Sequence, residues 1–76
     1  MKHLIETIVK PLVDFPEDVR VIMTEDDHRV TYHLTVNKTD MGKVIGKQGR
    51  VAKAIRTVVY AAGSSQQKKI FLEIGE

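Results

Sequence analysis

The sequence predicts a small α+β domain in which helices pack on one face of a three-stranded mixed sheet. Three observations support this fold class. Apolar residues have helical spacing near the N-terminus, two alternating segments flank an acidic turn, and a Gly-x-x-Gly sequence precedes a second helical segment. Alternation returns close to the C-terminus. The predicted order of elements is therefore helix, strand, strand, helix, helix, strand.

The first segment is predicted to be an amphipathic helix that ends near Val13. Its apolar residues recur at intervals of three and four positions: Leu4, Ile5, Ile8, Val9, Leu12 and Val13. Pro11 should kink the last turn, and Phe15-Pro16 should end the helix. A helix lying on a membrane is the alternative, but its polar face offers only Lys2 and Lys10 as cations.

The next two segments are predicted to form an antiparallel hairpin. Residues 19–24 and 29–36 alternate between apolar and polar side chains, and the acidic stretch 25–28 is expected to be a solvated turn. Its three adjacent acids resemble half of a metal-binding loop, but they lack the glycine and closing glutamate of calcium loops. The apolar positions of the two strands are Val19, Val21, Met23, Val30, Tyr32, Leu34 and Val36.

Two helices are predicted in the second half of the chain. Thr39 or Asp40 can cap a short helix that runs to about Ile45. A longer helix over residues 50–62 follows, and Gly63 is a typical C-terminal signal.

A last strand is predicted after a polar loop at residues 64–67, because Ile70, Leu72 and Ile74 alternate. The two-helix connection should be a right-handed crossover that leaves the second and third strands parallel. A chain of 76 residues is long enough for one domain, so we expect a single domain over 1–76.

The chemistry of the chain is concentrated in the glycine loop Gly46-Lys47-Gln48-Gly49. Glycines let the backbone turn sharply and let a ligand approach closely, while the free N–H groups of a following helix favour an anion. Lys47, Arg50 and Lys53 add positive charge, and no acidic residue lies between positions 41 and 67. A phosphate group is the expected ligand.

The distribution of charge supports a polyanionic partner. The net charge of +2 is unevenly distributed. Residues 1–37 carry a net −3, with four basic and seven acidic residues, and residues 38–69 carry a net +7, with eight basic residues and one acidic residue. The two remaining glutamates lie in residues 70–76. Because the positive charge accompanies the glycine loop, a polyanion is favoured over a scattered, solvated surface charge.

The loop and its flanks resemble the KH domain family, whose Ile-Gly-x-x-Gly loop between two helices clamps about four nucleotides of single-stranded nucleic acid. The motif here is Val44–Gly49. The resemblance covers nearly the whole chain, and the run Gly42–Ala62 and the element order are similar to the small bacterial type II KH proteins of the KhpA family. One departure is Ala52, where the family usually has a large apolar residue. Val51 and Ile55 are expected to supply that contact.

The resemblance implies a non-catalytic protein that binds single-stranded RNA. The loop backbone would lie against phosphates, and Ile45 would face the bases. The expected RNA-binding residues are Lys43, Ile45, Gly46, Lys47, Gln48, Gly49, Arg50, Lys53 and the more distal Arg56. The resemblance also implies a cytoplasmic RNA chaperone or post-transcriptional regulator that forms homodimers or pairs with a KhpB-like protein carrying KH and R3H domains. Its implied association is with cell elongation, cell shape and peptidoglycan homeostasis in cell-wall biogenesis.

The helix over residues 50–62 has a wider apolar arc than one packed face needs. One stripe contains Ala52, Ile55, Val59 and Ala62, and a second contains Val51, Ala54, Val58 and Ala61. The second stripe should line a nucleobase groove or meet another subunit, with Val51, Ala54 and Val58 as the candidate dimer interface. Wider burial within a small fold is the alternative. The remaining face carries Arg50, Lys53, Arg56 and Thr57.

Other functions fit the sequence less well or stay open. A KH surface adapted for protein assembly would explain the apolar arc, and binding of single-stranded DNA stays open. A helix-turn-helix DNA binder fits poorly with a glycine loop and a terminal strand. An enzyme, a cofactor and a metal site are not expected, because His3, His28 and His33 are scattered, cysteine is absent and the loop lacks the Gly-Lys-Ser/Thr of a P-loop. The lack of a secretory leader or membrane-span pattern favours the cytoplasm and no membrane insertion.

Overall fold

A computed structural model describes residues 1–63 and 68–75, so the predicted polar loop 64–67 lies outside the described residues. The helices and strands follow the predicted order, which confirms the α+β, type II KH arrangement. Their bounds are α1 Lys2–Val9, β1 Arg20–Glu25, β2 Arg29–Thr35, α2 Met41–Ile45, α3 Arg50–Ala62 and β3 Lys69–Gly75. Within the described ranges, no helix has the length and apolar character needed to cross a membrane.

The sheet is mixed, with β2 in the centre. β1 pairs antiparallel with β2, starting with Arg20 opposite Thr35, and β3 pairs parallel with β2, starting with Lys69 opposite Arg29. A parallel pair requires a crossover, which α2 and α3 supply. Because β3 starts beside the hairpin turn, α3 must run toward that end of the sheet. The glycine loop therefore lies at the opposite end of the domain.

The helices share one hydrophobic core with one face of the sheet. Its buried side chains are Ile5, Val9, Val19, Val21, Val30, Tyr32, Leu34, Val36, Val44, Ile55, Val59 and Leu72. Strand alternation predicted the sheet side of this core correctly except for Met23, which is 45% exposed. Met23 lies on the edge strand β1, close to the hairpin turn. Val44 of α2 and Ile55 and Val59 of α3 are anchored in the core, so the core holds both sides of the glycine loop.

The first helix is shorter than predicted. α1 ends at Val9, and a single 3-10 turn over Lys10–Leu12 continues it before the chain becomes extended at Val13 (φ −114°, ψ 157°). Pro11 cannot donate a hydrogen bond to the carbonyl of Thr7, so the α-helical pattern cannot continue through it.

Asp40 occupies the predicted N-cap position of α2, but neither its side chain nor that of Thr39 makes a capping hydrogen bond to this helix. Asn37 caps the preceding 3-10 turn, Lys38–Asp40, where its Oδ1 accepts the backbone N–H of Thr39 at 2.9 Å. The carboxylate of Asp40 is fully buried and accepts the backbone N–H groups of Asp14 and Phe15, each at 3.0 Å. Asp40 therefore ties the segment after α1 to the start of α2.

Helix α3 ends at Gly63 as predicted, but for a different reason. Gly63 has φ −93° and ψ 4°, which is not the left-handed conformation typical of a C-terminal glycine. A Cβ atom at this position would lie 1.9 Å from Cδ1 of Ile70. Glycine is needed here because α3 and β3 approach each other closely.

The acidic stretch between β1 and β2 forms a solvent-exposed turn, as predicted. Asp26 Oδ1 accepts the backbone N–H groups of His28 at 2.8 Å and Arg29 at 2.7 Å. These two hydrogen bonds stabilise the carboxylate and hold the pKa of Asp26 below its usual value. The described residues contain no group of three or more His, Asp or Glu side chains arranged to hold a metal ion.

Candidate nucleic-acid interface

The glycine loop has a backbone conformation suited to an anion. Gly46 (φ 75°, ψ 176°), Gln48 (φ 58°, ψ 26°) and Gly49 (φ 75°, ψ 13°) all have positive φ. Gly49 is left-handed and Arg50 is right-handed helical (φ −65°, ψ −39°), and their N–H groups donate to the backbone carbonyls of Gly46, at 3.2 Å, and of Lys47. Among the described side chains, none caps the N-terminus of α3. The N–H groups that follow Arg50 in the first turn of α3 therefore have no side-chain acceptor among the described residues.

The two glycines of the loop have different structural roles. A Cβ atom on Gly46 would lie 2.4 Å from Val51 Cγ2 and 2.9 Å from Val51 N, so the loop packs directly on the first turn of α3. A Cβ on Gly49 would have nothing within 4 Å, so only its positive φ favours glycine. Val51 packs against the loop at Gly46, and Ala52 and Ile55 are buried.

Three of the predicted RNA-binding cations surround this loop on the surface. Lys47 is within the loop, Arg50 is the first residue of α3, and Lys53 lies one turn further, and all three are exposed. In the part of the chain that the structure describes, no carboxylate is within ion-pair distance of any of them. Gln48 and Ile45 are also exposed, and Ile45 is the last residue of α2, directly before Gly46. The structure thus brings the loop, its cations and one apolar side chain together.

The other two predicted cations have protein partners. Lys43 Nζ forms an ion pair with Asp14 Oδ2. Arg56 Nε donates a hydrogen bond to the backbone carbonyl of Leu72 at 3.3 Å and is only partly exposed. Arg56 lies six residues beyond Arg50, about 9 Å along the helix axis at 1.5 Å per residue. It belongs to the side of α3 that faces β3, and the structure does not group it with the loop cations.

The second apolar stripe of α3 lines a groove whose other wall is α1. The groove has a volume of about 400 Å³, and Val51, Ala54 and Val58 from α3 face Leu4 and Ile8 from α1 across it. Val58 is 45% exposed. The predicted first stripe is buried at Ala52, Ile55 and Val59, whereas Ala62, the last residue of α3, is exposed. The broad apolar arc therefore includes a solvent-accessible part.

The wall contributed by α1 was not predicted. Leu4, Ile8 and Leu12 recur every four residues, a spacing that places them on one side of a helix beside the stripe of Ile5 and Val9. All six apolar residues of this segment were assigned to one packed face. Only Ile5 and Val9 are fully buried, and Leu12 lies in the 3-10 turn that extends the groove.

The histidine in β2, His33, is a sheet-surface residue. On the sheet face away from the helices, His33 Nδ1 lies 3.0 Å from Glu73 Oε2, and its Nε2 lies 2.9 Å from Thr24 Oγ1. These contacts bridge all three strands. Their position on the open sheet face separates them from the glycine loop.

The chain matches the family described as "KhpA/KhpB, KH domain" over residues 2–74. It belongs to the KhpA/KhpB family of KH domains. A relative named RNA-binding protein KhpA in Listeria monocytogenes is 64% identical over 76 residues, which is the full length of both chains. Relatives with the same name in Oceanobacillus iheyensis and Bacillus subtilis are 58% and 57% identical over 74 residues, 97% of this chain and 99% and 91% of theirs. The resemblance to the KhpA family is confirmed along essentially the whole KH domain.

Proposed function

We propose that this chain is a non-catalytic protein that binds single-stranded RNA through its glycine loop. The observation that carries the proposal is the combination of a left-handed Gly49 before α3 with three exposed cations that have no carboxylate partner among the described residues. The name of the KhpA relatives supports RNA as the ligand. Single-stranded DNA presents the same phosphate chemistry and is the alternative that the test must separate.

In this proposal the phosphates lie against the N–H groups of the loop and the first turn of α3. Lys47, Arg50 and Lys53 neutralise them, and Gln48 contacts the strand from the tip of the loop. Ile45, 38% exposed beside Gly46, supplies an apolar surface for a base. Gly46 and Gly49 allow the close approach of the backbone. Lys43 and Arg56 must first leave their protein partners, so we assign them secondary contacts.

A single loop of this kind contacts few nucleotides and is expected to bind weakly. We therefore include a homodimer in the proposal, with Val51, Ala54 and Val58 at the interface and the groove beside α1 covered by the second copy. On a helical projection Lys53 and Val58 are separated by about 140° at 100° per residue, so pairing through the groove leaves Lys53 accessible. Arg50 also lines the groove and would lie beside the second copy. Two loops on one RNA raise affinity through effective concentration.

Family membership is the support for the cellular part of the proposal. There the protein acts in the cytoplasm as an RNA chaperone and post-transcriptional regulator, alone or with a KhpB-like partner that carries KH and R3H domains. In the cell it would influence elongation, cell shape and peptidoglycan homeostasis. Deletion of the gene, followed by measurement of cell length and cell-wall synthesis, tests this part independently of binding.

The binding site is tested by charge reversal in the loop. Fluorescent single-stranded RNA is titrated with the wild type and with Lys47→Asp plus Gln48→Asp, at two salt concentrations, with single-stranded DNA and duplex RNA as competing ligands. The matched control is Lys2→Asp plus His3→Asp, which makes the same change in formal charge on the exposed start of α1. We expect the loop variant to lose binding and the control to retain most of it.

Equal binding by the wild type and the loop variant, with unchanged circular dichroism, would refute the loop as the site. Tighter binding to single-stranded DNA than to RNA would instead identify single-stranded DNA as the ligand of the loop.

The dimer is tested separately by light scattering over a range of protein concentrations. Val58→Asp places a charge in the groove, and we expect it to shift the mass toward the monomer. Tyr60→Asp is the control, because Tyr60 is 41% exposed on the other side of α3. A wild type that stays monomeric, or a Val58→Asp variant with the wild-type mass, would contradict the assigned interface.

A further inference from the structure

Among the described residues, the carboxylate of Asp14 contacts the predicted RNA-binding surface. The side chain of Asp14 pairs with Lys43, which lies in α2 three residues before Gly46. Asp14 belongs to the segment between α1 and β1, 29 residues away in sequence from its partner. It is therefore brought to the glycine loop by the fold and not by local helical spacing.

The backbone at Asp14 is fixed by a buried group. Asp40 is fully buried, and its two carboxylate oxygens accept the backbone N–H groups of Asp14 and Phe15 at 3.0 Å each. Asp40 and Lys43 are three residues apart at the start of α2, a spacing at which residues on a helix are neighbours. The hydrogen bonds to Asp40 consequently hold the start of the Asp14 side chain beside Lys43.

We propose that Asp14 competes with RNA phosphate for Lys43 and thereby lowers the affinity of the glycine loop. The inference rests on the proposed function, since the competitor of Asp14 is the phosphate of bound RNA. When a phosphate approaches, either Lys43 leaves Asp14 or the negative charge of Asp14 stays close to the phosphate. Both alternatives weaken the binding of RNA relative to a protein in which Lys43 has no carboxylate partner.

The size of the effect follows from the exposure of the pair. The side chains of Lys43 and Asp14 are 46% and 68% exposed, so water and salt screen their interaction strongly. Exposed pairs of this kind correspond to about a two- to fivefold change in an equilibrium constant. Asp14 is thus a positioning residue that adjusts affinity by a small factor. Weaker contacts also shorten the residence time of each loop on RNA, which favours exchange between strands.

The test measures affinity for single-stranded RNA in Asp14→Asn, with Asp27→Asn as the matched control. Asp27 is exposed in the hairpin turn, at the end of the domain opposite the glycine loop, and its replacement makes the same change in net charge. We expect Asp14→Asn to bind about two- to fivefold more tightly than both the wild type and the control in low salt. Asp14→Glu should return affinity to near the wild-type value because it restores the carboxylate.

Two further readouts separate competition from a general charge or structural effect. The logarithm of the binding constant should fall more steeply with the logarithm of salt concentration in Asp14→Asn, by up to about 0.7 for one additional phosphate neutralised on a single strand. In a Lys43→Gln background, Asp14→Asn should give a much smaller gain, because only the direct repulsion between Asp14 and the phosphate remains to be relieved. An equal gain in that background, or an equal gain in Asp27→Asn, would overturn the proposal.

The outcome also distinguishes this inference from the proposed function. A wild type that binds RNA, together with an Asp14→Asn variant of unchanged affinity, refutes only the competition. A wild type without RNA affinity refutes the proposed function and the competition together.

Discussion

Replacement of each of three glycines near the loop by alanine should change stability in a defined order. Gly42 is in α2 with nothing within 4 Å of an added Cβ, so Gly42→Ala should stabilise the protein by about 0.5–1 kcal/mol. At Gly49 an added Cβ likewise has no atom within 4 Å, but φ is 75°. An alanine in this left-handed conformation should lower the free energy of unfolding by about 1–2 kcal/mol. Gly46→Ala should be the most destabilising of the three.

The effect at Gly46 has two independent causes. Its conformation (φ 75°, ψ 176°) lies in a region used almost only by glycine, which costs alanine about 1–3 kcal/mol. Its Cβ would also lie 2.4 Å from Val51 Cγ2, and such overpacking adds about 1–3 kcal/mol. The total of about 2–6 kcal/mol is a large fraction of the roughly 4–11 kcal/mol expected for a domain of 76 residues.

Urea denaturation followed by circular dichroism measures the order directly. Gly46→Ala plus Val51→Ala should recover only part of the loss, because the backbone nitrogen of Val51 lies 2.9 Å from the added Cβ and cannot be removed. If Gly46→Ala is no less stable than Gly49→Ala, the packing of the loop on α3 is not as described and the reasoning fails.

Two further stability predictions concern carboxylates. Asp40→Ala should destabilise the protein by about 1–3 kcal/mol for each of the two backbone donors that it leaves without an acceptor. Asp40→Asn keeps one acceptor oxygen and should cost less. An unchanged melting temperature in Asp40→Ala would contradict the anchoring role of Asp40. The pKa of Asp26 is held below its ordinary value in the folded state by the hydrogen bonds from His28 and Arg29. Its charged form therefore contributes stability that is present above the unfolded-state pKa and is lost as pH falls through the lowered pKa. The difference in melting temperature between the wild type and Asp26→Ala should therefore be largest near neutral pH and shrink in acid.

Local sequence patterns predicted most of the fold. The alternation of β2 and β3, the helical spacing of α3 and the polar turn at Asp26 each depend on neighbouring residues, and each was correct. The glycine loop was predicted for the same reason, since its spacing and the cations at Lys47 and Arg50 are adjacent in the chain.

The features that were missed depend on contacts between distant segments. Asp40 has the sequence position of a helix cap, but its partners lie 25 and 26 residues earlier. Gly63 resembles a left-handed helix end, whereas the contact that requires it is with Ile70. The hydrogen bond from Arg56 to Leu72 and the second wall of the apolar groove likewise arise only when two elements pack together.

The parallel pairing of β3 with β2 has a consequence for the order of folding. The hairpin closes a short connection, since Glu25 pairs with Val30, whereas every pair between β2 and β3 joins residues 40 positions apart, such as Arg29 and Lys69. Closing the longer connection costs more conformational entropy of the chain, so the hairpin should form early and β3 should dock late. The glycine loop lies inside the segment that closes last. Its shape therefore depends on completion of the whole sheet, and a ligand held there should slow unfolding of the entire domain.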